Sequence, residues 1–169
     1  MELVDQLKQD GVAKGLCRIW RGKLRSGVSM EDLIKLYIKG IDFCISEDYP
    51  TLDFIRSNFK GKCEPYGAFV DDEISERKNA PDTVLNGFCK AMLEYDGYSV
   101  SRAFIRHDSQ VAINASDYAM VTIDAFDNAN LVVATAGQDA QVFVNLYGNA
   151  QAECIGAGIQ VKRLNKKTY

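Results

Sequence analysis

Seven small residues, Cys89, Ser99, Ser109, Ala119, Ala129, Ala140 and Ala150, recur along the second half of the chain. The steps between them are ten residues, except for one of eleven between Ala129 and Ala140. A turn pair precedes each anchor: Gly87-Phe88, Gly97-Tyr98, His107-Asp108, Asp117-Tyr118, Asp127-Asn128, Gln138-Asp139 and Gly148-Asn149. Most of these are residues that tolerate left-handed or turn backbone angles. A register held over seven anchors restricts the chain to architectures built from one repeated unit.

Between the turns, apolar residues alternate with period two. The inward set reads Val111-Ile113-Ala115, Val121-Ile123-Ala125, Val132-Ala134-Ala136 and Val142-Val144-Leu146. It starts as Ala91-Leu93-Tyr95 and fades at Ala152-Cys154. Asn114, Thr122, Asp124, Thr135, Asn145 and Glu153 occupy the other face, with Phe143 as an exception. This is one buried and one wet face, strand after strand. A charge at Val121 is then expected to be costly, and one at Asn145 cheap.

Two architectures fit a ten-residue period. In a β-solenoid, identical positions stack on neighbouring coils. In an antiparallel meander or barrel, each turn is a hairpin. The solenoid is favoured because the small anchor always follows the turn. In addition, Phe126 and Tyr147 share a repeat position two repeats apart, with Ser116 and Gly137 on the alternate repeats. That fits a coil of two repeats.

The first sixty residues read as helices. Val4, Leu7, Val12, Leu16, Ile19, Trp20 and Leu24 fall at helical spacing, with Gly11 and Gly15 as weak points. Ser29 opens a second helix with a capping-box partner at Asp32, followed by the stripe Leu33, Leu36, Tyr37, Ile41 and Cys44. Pro50 starts a short third helix carrying Leu52, Phe54, Ile55 and Phe59. The expected organisation is α+β. A helical head spans 1–60, a turn-rich and charged connector 61–82, a β-solenoid of ten-residue repeats 83–163 and a basic tail 164–169.

Ser109-Gln110-Val111, Tyr147-Gly148-Asn149-Ala150-Gln151 and the helical stretch from Leu36 to Cys44 resemble short-repeat β-solenoid proteins of gut bacteria and their phages that carry a helical N-terminal head. The resemblance implies a fold and an assembly setting. It implies no activity.

The residues offer little chemistry. The 169-residue chain carries a net charge of −3, and residues 1–60 hold ten basic and nine acidic side chains, so no basic face is expected. A helix-turn-helix reading would leave Arg56 and Asn58 for base edges and Lys60 for phosphate. Nucleic acid is therefore the weaker expectation. His107-Asp108-Ser109 holds hydrolase residue types, but neighbours on a strand end point in different directions. His107 reads as a turn residue. The turn acids Asp108, Asp117, Asp127 and Asp139 lack the glycine-rich repeat of calcium-binding solenoids. Carboxylate pairs for glycan cleavage are not forced together by the register. Five scattered cysteines fit small buried hydrophobes in a reducing cytoplasm. No apolar run is long enough for a membrane span, and the start lacks the pattern of a secretory signal.

The expectation is a non-catalytic structural or interaction protein without metal or cofactor. Its location would be cytoplasmic, or virion-associated if viral. Its partner would be a protein or a second copy, and a glycan is a further candidate. Phe104, Phe126, Phe143 and Tyr147 are the candidate binding residues, forming an exposed aromatic stripe that Tyr118 joins at a corner. The alternatives are a nucleic-acid-binding regulator and an enzyme acting on a glycan along the β-face.

Overall fold

The computed structural model describes residues 2–169. They divide into two compact units, a helical one ending at Ala68 and a β unit spanning Phe69–Thr168.

The helical unit has five helices: α1 (Leu3–Ala13), α2 (Arg18–Lys23), α3 (Met30–Lys39), α4 (Ile41–Ser46) and α5 (Leu52–Asn58). Helix α1 buries Val4, Leu7 and Gly11, one side of a 3.6-residue period. The expected run to Leu24 breaks at Gly15, whose φ of 90° is foreign to a helix. The expected second helix is likewise two. Gly40 leaves helical geometry at φ −104°, ψ 27°, and separates α3 from α4. The Ser29 cap forms as its spacing implies. Its hydroxyl accepts the Asp32 N–H at 3.1 Å and donates to the Asp32 carboxylate at 2.8 Å. Pro50 lies just outside α5, and the cap is Thr51, which accepts the Phe54 N–H at 3.3 Å.

The β unit is a parallel β-solenoid. Its strands are β1 (Ala68–Val70), β2 (Glu73–Lys78), β3 (Asp82–Asn86), β4 (Lys90–Tyr95), β5 (Val100–Ile105), β6 (Gln110–Ala115), β7 (Met120–Ala125), β8 (Asn130–Thr135), β9 (Gln141–Leu146), β10 (Gln151–Ile155) and β11 (Ile159–Arg163). Odd strands form one sheet and even strands the other, each in coil order. Each strand from β2 to β11 pairs in parallel with the strand one coil away: Val111 stands beside Leu131, and Ile123 beside Val144. Two ten-residue repeats thus make one coil, and among the described residues no hairpin pairing occurs.

The inner rows of both sheets meet in one core. Leu93, Ile113 and Val133 line up on the even sheet, and Ile105, Ala125 and Leu146 on the odd one, all buried. The expected inward set fails in β8. Leu131 and Val133 face the core, whereas Val132 is 44% exposed and Ala134 and Ala136 lie outside it. Thr135 takes the inward register position beside Ala115. The reason is the place of the eleventh residue. It is absorbed in the corner after β8, so the strand keeps its phase from Ala129. For the same reason Ala136, and not Gly137, stands one coil from Ser116.

The segment 61–82, read from sequence as a connector, already contains β1 and β2. Strand β2 pairs with β4 through a bulge between Ile74 and Arg77, so the solenoid begins near Ala68. Charged residues in β2 hid its strand character, because an edge strand carries them on its open side. The last coil is shorter. Its corner is only Gly156-Ala157-Gly158, where a Cβ on Gly158 would lie 2.0 Å from the Ala140 carbonyl.

The seven corners from β3 to β10 each turn on one residue with positive φ: Gly87, Gly97, His107, Asp117, Asp127, Gly137 and Gly148. The anchor lies two residues on, three after Gly137, and can close a β-turn from the residue before the positive-φ position, as in Ala129 N–H to Phe126 O at 3.1 Å. Anchors Cys89, Ser109, Ala119, Ala129, Ala140 and Ala150 are buried, which is why only small residues stand there. Cysteine burial is mixed. Cys44, Cys63 and Cys89 are buried, while Cys17 and Cys154 are exposed. Cys154 keeps the inward register beside Val133, but no further coil of the described residues covers it.

Candidate interaction surface

The residue that follows the positive-φ position at a corner points outward. At the corners leading into β5 and β7 it is a tyrosine. Tyr98 is 82% exposed and Tyr118 55%. Their rings lie 5.0 Å apart and within 7° of parallel. That distance is close to the spacing of paired strands, so the coil repeat itself sets the stack. Two residues on, Val100 and Met120 stand side by side in register, 71% and 43% exposed. Two coils therefore present a ridge of two stacked aromatic rings and two aliphatic side chains in water.

The polar surroundings of the ridge are fixed. The Gly97 N–H donates to the Asp117 carboxylate at 2.9 Å. Asp96, at the same corner, accepts from the Asn79 amide at 2.6 Å and meets the Lys78 ammonium at 2.6 Å. The Asn79 hydrogen bond, then the Lys78 bond and charge, hold the Asp96 carboxyl below its ordinary range. Beside β5, Arg102 is tied to Asp82 at 2.8 Å.

The expected aromatic stripe does not form as an exposed surface. Phe126 and Tyr147 do stack, at 4.6 Å and 16°, but both are buried. They precede the positive-φ residue at their corners, and that position is buried throughout its column, as Asn86 and Arg106 also show. Phe104 lies on the outward side of β5 yet is 5% exposed, with the Arg102 guanidinium over its ring at 5.5 Å. Phe143 is half-buried between Thr122 and Gln160. On the even sheet's outer face Met92 and Val132 are exposed on either side of Ala112. Sequence reasoning missed Tyr98, Val100 and Met120. Their signal was the twenty-residue spacing of Tyr98 and Tyr118, which a two-repeat coil makes a contact.

The hydrogen bonds of the His107, Asp108 and Ser109 side chains run to neighbouring coils and not to one another. The His107 Nδ1 accepts from the Gly87 N–H at 2.9 Å, and Asp108 accepts from the Asn128 amide at 3.1 Å. The Ser109 hydroxyl donates to the Gly87 carbonyl at 3.2 Å and accepts the Cys89 N–H at the same distance. All three serve the corner column. Among the described residues no three His, Cys, Asp or Glu side chains are grouped to hold a metal ion.

In α5, the positions considered for base reading are locally engaged. Arg56 lies 3.6 Å from Asp53, and the Asn58 amide donates to the Phe54 carbonyl at 3.0 Å. Among the described residues no helix is long and apolar enough to cross a membrane. No protein family, curated protein or solved structure matches the chain.

Proposed function

We propose that this chain is a non-catalytic structural or interaction protein whose rigid, repetitive β-face mediates self-association through the Tyr98–Tyr118 ridge. The observation that carries the reading is the exposed stack of two tyrosines at 5.0 Å, flanked by Val100 and Met120. Tyrosine supplies large contact area with few rotatable bonds, and clustered exposed apolar groups mark contact sites. The solenoid holds the rings in place before any partner arrives, so little ordering entropy opposes binding. A second copy offers the same ridge, which suits a two-fold contact. The resemblance to phage and gut-bacterial solenoids suggests an assembly component of a phage or mobile element as the setting. It would act in the cytoplasm or on a virion.

Sedimentation of the full chain over a range of concentrations tests this. The expected result is a mass that rises to a discrete oligomer for the natural chain and stays monomeric for Tyr98→Ser/Tyr118→Ser. A monomer at every concentration, or an oligomer unchanged in the double variant, overturns the proposal.

A further inference from the structure

The helical unit contains a cavity of about 400 Å³ that opens to the surface. Its walls come from separate elements, with Leu7, Leu16, Trp20, Leu36, Phe43 and Phe59 supplying the apolar surface. Leu16, Trp20, Leu36 and Phe43 are only half-buried. Two contacts fix the walls relative to one another. The Tyr49 hydroxyl donates to the Leu7 carbonyl at 2.6 Å, anchoring α1 to the segment before α5. The Trp20 indole rests where Gly40 has no side chain, since a Cβ there would lie 3.3 Å from the ring. The volume lies in the range of small-molecule sites, about 300–1,000 Å³. At water's share of roughly 30 Å³ it holds about a dozen non-hydrogen atoms. That is the size of a small molecule.

The charged groups in the wall are Lys39 and Asp42, which flank Gly40 and are both exposed. A ligand with a fixed charge would gain from one and be opposed by the other. A neutral hydroxyl is opposed by neither, since it can accept from an ammonium and donate to a carboxylate. We infer that this cavity is a binding site for a small hydrocarbon chain ending in a neutral hydrogen-bonding group, such as a medium-chain alcohol. The tail lies among Leu16, Trp20, Leu36 and Phe43, and the polar end faces Lys39 and Asp42. This site is independent of the solenoid ridge.

Trp20 is the one tryptophan of the chain, so its emission reports the site directly. The experiment is titration of the full chain with octanol, octanoate and octylammonium, followed by tryptophan fluorescence. Octanol should give a saturable change, and the two charged probes should bind weaker by about ten-fold or more. Leu36→Phe fills the cavity and should abolish the octanol response. Ile19→Ser, at an exposed position outside the wall, should leave it intact. Far-UV circular dichroism verifies folding, and Leu16→Phe replaces Leu36→Phe if that variant unfolds. No saturable change in the natural chain overturns the inference. So does a response that persists in the folded filled variant, or equal or tighter binding of a charged probe.

Discussion

The imidazole of His107 accepts a hydrogen bond from the backbone N–H of Gly87, twenty residues earlier, at 2.9 Å. The same relation joins Gly97 to Asp117 and His107 to Asp127, each at 2.9 Å. In each case the side chain of one corner satisfies the N–H of the corner one coil before. The donor residue has positive φ, and its N–H lies at a turn outside the strand ladder. One residue type must therefore tolerate left-handed backbone and also present an acceptor. Aspartate and a neutral histidine meet both demands.

This predicts that His107→Asp is nearly silent, because aspartate already occupies the position at Asp117 and Asp127. His107→Val should destabilise by roughly 2 kcal/mol or more, from a β-branched side chain in left-handed geometry and the lost acceptor. Urea denaturation of both variants measures the difference, and equal midpoints would refute the corner rule.

The contact of Asn145 with Asp124 changes an expectation drawn from alternation alone. The Asn145 amide donates to the Asp124 carboxylate at 2.7 Å, and Asp124 is buried. Asn145→Asp would set two carboxylates together, costing about 1–3 kcal/mol at neutral pH. Protonation of one of them should restore stability as pH falls. Asn114→Asp, on the exposed outward side of β6, should change little. Val121→Asp buries an unpaired charge at a fully buried position and should cost several kcal/mol, about 4 or more. Thermal melts at pH 7 and pH 4 order the three.

Alkaline pH should weaken the fold through its buried tyrosines. Burial raises the Tyr95 hydroxyl to about 12, against the opposing pull of Thr83 and Arg77, and burial also raises Tyr49. The neutral form is favoured when folded. Stability is therefore full below the unfolded value of about 10, and is lost as pH rises from there toward 12. Each such tyrosine adds a slope of about 1.4 kcal/mol per pH unit in that window. Tyr95→Phe should leave one fewer proton released on alkaline unfolding, read by comparing denaturation midpoints at pH 8 and pH 11.

The final strands expose apolar residues at a sheet edge. Ile155 is 59% and Val161 48% exposed, and β10 and β11 end their sheets. Lys162, on β11, places a charge there, a common guard against edge-to-edge pairing. Lys162→Val should raise the tendency to form larger species at high concentration, seen by light scattering. Unchanged scattering would assign that protection elsewhere.

The ten-residue period and its alternation determined a repeated β-architecture with one buried face, and the invariant small anchor favoured a solenoid over a meander; the parallel pairing of strands one coil apart decided between them. The period also placed His107 at a corner, and the spacing of Ser29 to Asp32 placed a helix cap, because both depend on near neighbours in the chain. Only the tertiary structure decided what depends on where one coil sits against the next. The eleventh residue after Ala129 could be absorbed in strand or corner, and the pairing of Leu131 with Val111 chose the corner. Strand β2 is too charged to read as a strand until β4 supplies its partner. Alternation cannot tell that Phe126 and Tyr147 turn inward while Tyr98 and Tyr118 face water. The two pairs share the same twenty-odd-residue spacing, and their exposure is set by which side of the left-handed residue each ring stands on.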